Sequence, residues 1–165
     1  MLPIALDPTA LHIGLCGAGD GLARRRSALV EGGVSPALID PEASLAGLNL
    51  LFVAGLDAAP SRDLARRARE QGVLVNVEDV PELCDFHMPA VVRRGDLTFT
   101  VSTNGKAPGL SRILREWLDR AFGGEWKERI DQVASMRALC RGQGLTPGEV
   151  SSRTRAFVEQ NGWLA

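Results

Sequence analysis

An α/β fold is predicted for this chain by three observations. A short apolar run at residues 11–16 enters a glycine-rich stretch, Gly17-Ala18-Gly19-Asp20-Gly21, and then an arginine-bearing helical segment. A second run, LNLLFVAGL, is apolar without a break, as expected where both faces of a parallel sheet are covered. The stretch LTFTVST instead alternates with period two, the mark of a half-buried strand outside that sheet. The expected architecture is a shortened Rossmann-like parallel sheet over 1–80, a small dimerisation strand pair with a loop over 81–108, and a helical carboxy-terminal region over 109–165.

The first strand is expected at 11–16, between Pro8 and the glycines. Residues 22–30 read as a helix with arginines on its wet side, stopped by Gly32-Gly33. SPALID reads as the second strand, ending at Asp40. Strand, glycine loop, helix and strand ending in an acid is the pattern of a dinucleotide-binding βαβ unit. Backbone N–H groups of Gly17, Ala18, Gly19, Asp20 and Gly21 would hold a pyrophosphate at the helix start. Asp40 lies roughly 20 residues beyond the glycines, where a carboxylate accepts from a ribose 2′-OH and so favours NAD over NADP. In G-x-G-x-x-G/A the third small position admits close helix–strand packing, and counting from Gly17 it falls on Leu22. A leucine there would push the helix outward unless the register slips and Ala23 takes the role.

Ser61 is placed to cap a helix over 62–71, with Gly72 as its stop. The strand VLVNV then delivers Glu78 and Asp79, either a solvated turn or part of a site. Arg93-Arg94-Gly95-Asp96 makes a turn between two apolar segments, and Pro108 suits the first turn of a helix. That helix is amphipathic, with Leu110, Ile113, Leu114, Trp117 and Leu118 expected to face inward. Another helix follows Gly123-Gly124, and Thr146-Pro147-Gly148-Glu149 spells a capping box for the last one. Trp126 and Trp163, like Trp117, read as core or dimer contacts, with Trp163 packing back on a neighbour. Two strands with one broad apolar face bury little alone, so the middle region is expected to complete itself against a second copy.

With 165 residues, 45% apolar and 24% charged, the chain has an ordinary globular composition. A net charge of −1 supplies no basic field for nucleic acid or membrane. Cys16, Cys84 and Cys140 are widely spaced and odd in number, and His12 and His87 are far apart, so neither a disulfide framework nor a metal site is expected. MLPIALDPTA lacks a basic region and a long apolar run, and no stretch reaches membrane-spanning length. A cytoplasmic protein is expected.

The central segment also carries a resemblance. F-x-x-P-A-V-V-R-R-G-D-L followed by V-S-T-x-G-K-x-P-x-L-x-R resembles the precorrin-2 dehydrogenases that form the amino-terminal module of siroheme synthases. The likeness covers most of residues 2–118. It implies NAD-dependent oxidation of precorrin-2 to sirohydrochlorin by a homodimer, with Asp79 as the proton acceptor. It also implies a substrate-facing loop of Ser102, Thr103, Asn104, Gly105 and Lys106, with Asn104 standing where the family usually has glycine. The substrate carries carboxylates around its ring, so arginines and loop N–H donors are expected to meet it. The family tends to follow the third strand with A-T-D-D beside the cofactor. Here the residues are Ala54-Gly55-Leu56-Asp57, so Asp57 alone of the acids matches. Only PEASLAG joins the second strand to the third, so an edge strand is expected to be missing. Two other readings stay open: added iron insertion into sirohydrochlorin, and a non-catalytic tetrapyrrole-binding dimer. His87 could serve the first as a ligand, although a partly buried packing role is favoured for it.

Overall fold

The computed structural model describes residues 2–164. They form two compact units, divided between Met88 and Pro89. The first holds a parallel sheet of β1 (Ile13–Gly17), β2 (Ala37–Leu38), β3 (Leu50–Ala54) and β4 (Leu74–Val77), in the order β2-β1-β3-β4. β1 runs beside β3 from Ile13↔Leu50 to Gly17↔Ala54, and β3 beside β4 from Leu50↔Leu74 to Val53↔Val77. Helix α1 (Gly19–Glu31) follows β1, and α2 (Ala58–Glu70) follows β3.

Every residue of β3 is buried, which explains its unbroken apolar sequence. Successive side chains leave opposite faces of a strand. Leu51 and Val53 accordingly join Leu64, Ala65 and Ala68 of α2 in one cluster, while Leu50 and Phe52 join Leu29 of α1 in another. Each buried leucine contributes on the order of 1.5–3 kcal/mol.

Several boundaries differ from expectation. α1 begins at Gly19, not at residue 22, because glycine at φ 56 turns the chain directly into the helix. β2 is two residues long; Pro36 and Pro41 confine it, although Ile39 N–H still donates to Leu15 O at 2.9 Å. α2 begins at Ala58, so Ser61 lies inside its first turn and is not its cap. Pro60 fits that first turn, having no N–H to lose there. The Ser61 hydroxyl donates instead to Leu56 O at 3.4 Å.

In the second unit β5 (Ala90–Arg94) and β6 (Leu97–Val101) form an antiparallel hairpin, paired from Ala90↔Val101 to Arg94↔Leu97. Gly95, at φ 61, supplies the left-handed turn residue. Three helices follow: α3 (Pro108–Ala121), α4 (Trp126–Gly142) and α5 (Pro147–Gln160). Pro108 stands in the first turn of α3, and Thr146 with Glu149 forms the capping box of α5. Phe99 meets Phe122 with ring centroids 4.3 Å apart, and Phe122 meets Trp126 at 5.2 Å. Trp163 packs back on Phe157 at 5.4 Å, and the Arg129 guanidinium lies 4.9 and 5.3 Å from the rings of Trp126 and Trp163. The apolar face of α3 is not inward-facing as expected. Leu110, Ile113, Leu114 and Trp117 are exposed, and Leu118 is half-buried. Period shows that a helix is amphipathic; it does not say what covers the face.

Arg94 ties the hairpin to the end of α3, donating to Phe122 O at 2.6 Å and to Asp119 Oδ1 at 2.8 Å. The hydrogen bond from Arg94 holds the Asp119 carboxyl below its ordinary range. A depressed carboxylate contributes stability that is full above its unfolded pKa and is lost as pH falls through its folded pKa. Asp119→Asn should therefore lose less melting temperature than the parent when acidified from about pH 7 to about pH 3. Equal losses in thermal melts would refute the assignment.

Candidate functional site

The carboxyl ends of β1, β3 and β4 lie along one edge of the parallel sheet, and three glycines fix the local geometry there. A Cβ on Gly17 would run into Ala54 O, and one on Gly55 into Ala18 O. Ala18 N–H donates to Ala54 O at 3.2 Å. The N–H of Leu22 makes the first bond of α1, to Ala18 O at 3.2 Å. The N–H groups of Gly19, Asp20 and Gly21 therefore have no acceptor within the helix and are available to an outside anion.

The small residue that admits close packing is Gly21, not Leu22 or Ala23. A Cβ on Gly21 would stand 2.8 Å from both Cα and N of Gly55. Leu22 is half-buried against the cluster containing Leu29 and Phe52, and Ala23 is exposed. The leucine thus does not displace the helix. The motif simply reaches its close contact one residue earlier.

Asp40 is exposed beyond β2, its Oδ1 accepting from Glu42 N–H at 2.9 Å. Arg67 of α2 donates to the carbonyls of Pro41 and Ala43, anchoring the segment after Asp40. Asp57 is the N-cap residue of α2 but its side chain makes no capping bond, and Asp20 is exposed in the first turn of α1. Cys16 is fully buried beneath this edge; burial, then the Asp40 carboxylate, pushes its thiol up and makes it a poor nucleophile. The free N–H groups and a carboxylate past β2 fit a dinucleotide.

Glu78 and Asp79 lie in the turn just after β4. The turn sends their side chains different ways. Glu78 N–H donates to Val53 O at 2.9 Å, Val80 N–H returns to Val77 O at 3.3 Å, and Asp79 between them has φ 61. The Cys84 thiol lies 3.2 Å from Val77 O and 3.4 Å from Val80 O, bracing the turn. Glu78 points inward to Arg25, at 3.5 Å, whereas Asp79 is exposed. Spacing gave no hint of Arg25, Arg67 or Cys84 here.

In the second unit, Thr103 Oγ1 accepts from Ala107 N–H at 3.1 Å and sits 3.2 Å from Ser111 Oγ, tethering the loop to α3. Asn104 N–H donates to Ser102 Oγ at 3.2 Å, and Asn104 and Gly105 are both left-handed, at φ 52 and 77. Ser102, Asn104, Gly105 and Lys106 are exposed. His87 is exposed and is not the packing histidine expected. Among the described residues no group of three His, Cys, Asp or Glu side chains could hold a metal ion, and no helix is long and apolar enough to cross a membrane.

Gly21→Ala should cost about 1–3 kcal/mol, as overpacking against backbone does, and should displace the start of α1. Leu22→Ala should lose packing without tightening the hold on a dinucleotide. Chemical denaturation and calorimetric titration check both, and a neutral Gly21→Ala would refute the close contact.

The family described as "Putative NAD(P)-binding" matches residues 4–90. A siroheme synthase of Thiobacillus denitrificans is 32% identical over 95% of this chain and 30% of its own length. One from Pseudomonas fluorescens is 36% identical over 72% of this chain and 25% of its own. The chain thus spans about a third or less of these relatives. A solved structure, "SirC, precorrin-2 dehydrogenase", superposes with a TM-score of 0.77 at 18% identity, covering 100% of this chain and 93% of that one. The likeness shows that the fold is shared, and the relatives bear out the resemblance read from the central segment. The chain belongs to this NAD(P)-binding family, among the relatives of siroheme synthase.

Proposed function

We propose that the protein oxidises precorrin-2 to sirohydrochlorin with NAD. The observation that carries this reading is Asp79, an exposed carboxylate held left-handed at the same sheet edge as the open N–H groups of α1. NAD, when bound, supplies the hydride acceptor. Gly19, Asp20 and Gly21 would bind its pyrophosphate through backbone N–H groups, and Asp40 would accept from the ribose 2′-OH. Gly17, Ala18 and Asp57 shape the same edge.

Losing a hydride leaves the macrocycle with an acidic C–H, and Asp79 takes that proton as general base. In the second unit Ser102, Asn104 and Lys106 offer donors to the substrate's carboxylates, and Thr103 with Gly105 sets the loop they stand on. The cation of Lys106 and the loop amides suit a polyanion. The relatives' printed names, siroheme synthase and precorrin-2 dehydrogenase, support the choice of substrate. Four exposed apolar side chains on α3, Leu110, Ile113, Leu114 and Trp117, support a homodimer formed by a second copy.

Anaerobic incubation with precorrin-2 and NAD, followed by absorbance, should give sirohydrochlorin, and omission of NAD should abolish it. Asp79→Asn should remain folded and bind NAD while turnover falls by about 10² or more. Near-normal turnover would remove Asp79 from the role. Titration with NADP should show much weaker binding than NAD, because Asp40 would face the added phosphate; equal affinity would exclude Asp40.

The homodimer has its own test. Sedimentation should find two copies in the parent and one in Ile113→Glu, and a monomeric parent would overturn that part of the proposal.

A further inference from the structure

We propose that Glu78 is a positioning residue that ties the orientation of Asp79 to the glycine-loop helix. The inference rests on reading Asp79 as the general base. Its starting point is an ion pair that joins residues far apart in the chain. Glu78 Oε1 lies 3.5 Å from the Arg25 guanidinium on α1, and Oε2 lies 3.8 Å from Arg24. The same carboxylate reaches the glycine contact itself, since a Cβ on Gly21 would stand 3.1 Å from Oε2.

This pair differs from the surface pairs on α2. Arg25 and Glu78 retain 16% and 19% side-chain exposure, against 58% and 59% for Arg66 and Glu70. Arg25 Nε is buried without an acceptor, and its guanidinium carbon lies 5.8 Å from the centre of the Phe52 ring. Removing Glu78 therefore leaves a shielded cation with no ion-pair partner among the described residues. Such a cation is costly to leave uncompensated.

Glu78 is fixed at both ends. Its backbone N–H is held by Val53 O and its carboxylate by α1. Asp79 is the next residue, at φ 61, and the turn closes immediately afterwards through Val80 N–H to Val77 O. A small movement of α1 is thus passed through Arg25 and Glu78 to the backbone that aims Asp79. An exposed left-handed aspartate, in a turn held otherwise by the Val80–Val77 bond and the Cys84 thiol, would sample other conformations without that link.

The test uses the full chain and two readouts. In amide hydrogen exchange without ligand, Glu78→Ala should lose protection at Val80 by about tenfold or more, while Val75 and Val77 in β4 keep theirs. Loss of protection throughout the first unit, or no loss at Val80, would overturn the proposal. In steady-state kinetics with precorrin-2 and NAD, Glu78→Ala should lower kcat by about tenfold or more with little change in the KM for NAD, as misplacement of a catalytic group does. Glu78→Gln, which keeps a hydrogen bond to Arg25, should recover most of that loss. Arg25→Ala should match Glu78→Ala, and the double variant should be little worse than either. Additive losses, or a kcat that follows melting temperature alone, would refute positioning. An inactive parent would instead refute the proposed reaction, and the exchange result would still decide whether Glu78 holds the turn.

Discussion

A Cβ on Gly21 would come within 2.8 Å of the backbone of Gly55, and that approach constrains everything at this edge of the sheet. Two chain segments cross there with no side chain between them. The crossing sets how near the start of α1 can come to the end of β3, and so where its free N–H groups stand. It also leaves Gly55 at φ 69, a conformation that threonine or any other branched residue would resist. The glycine at 55, read from sequence as the loss of a family residue, is required by its positive φ and by Ala18 O, which a Cβ there would run into.

The legible parts of the fold are those written in local pattern. The unbroken run at β3 announced a strand covered on both faces, and Leu51 and Val53 do lie opposite Leu50 and Phe52. The period-two stretch became β6, and Thr146 with Glu149 formed the expected cap. Where the reading failed, position within a pattern was the difficulty. Ser61 looked like the cap of α2, but the helix starts three residues earlier, with Pro60 tolerated inside its first turn. Leu22 looked like a defect because the motif was counted from Gly17, whereas close packing depends on which residue faces β3.

The candidate site was partly legible for a related reason. Acids and glycines at strand ends can be read from spacing, so Asp40, the pair Glu78-Asp79 and the loop at 17–21 were singled out, while the choice of Asp79 within the pair came from the resemblance. The groups that hold them were not. Arg25 is separated from Glu78 by 53 residues, and Arg67 from Pro41 by 26. A guanidinium that crosses between elements leaves no periodic trace, and both arginines read as ordinary members of wet helix faces. The fold, not the motif, brings them to the carboxyl edge.

Among the described residues, two non-glycine residues have positive φ, Asp79 and Asn104. Aspartate and asparagine tolerate that conformation better than other side chains, yet glycine would satisfy either turn at less cost. Backbone strain that persists in the presence of an easier solution points to a side chain that is wanted for itself. Each of these side chains is also exposed, so packing does not account for it. Asp79 stands beside an acid of nearly the same chemistry, and Glu78 is the one turned inward and neutralised by arginine. The turn therefore spends one carboxylate on structure and keeps the other free. That division of labour, made by a single left-handed residue, supports the proposal that Asp79 takes the proton.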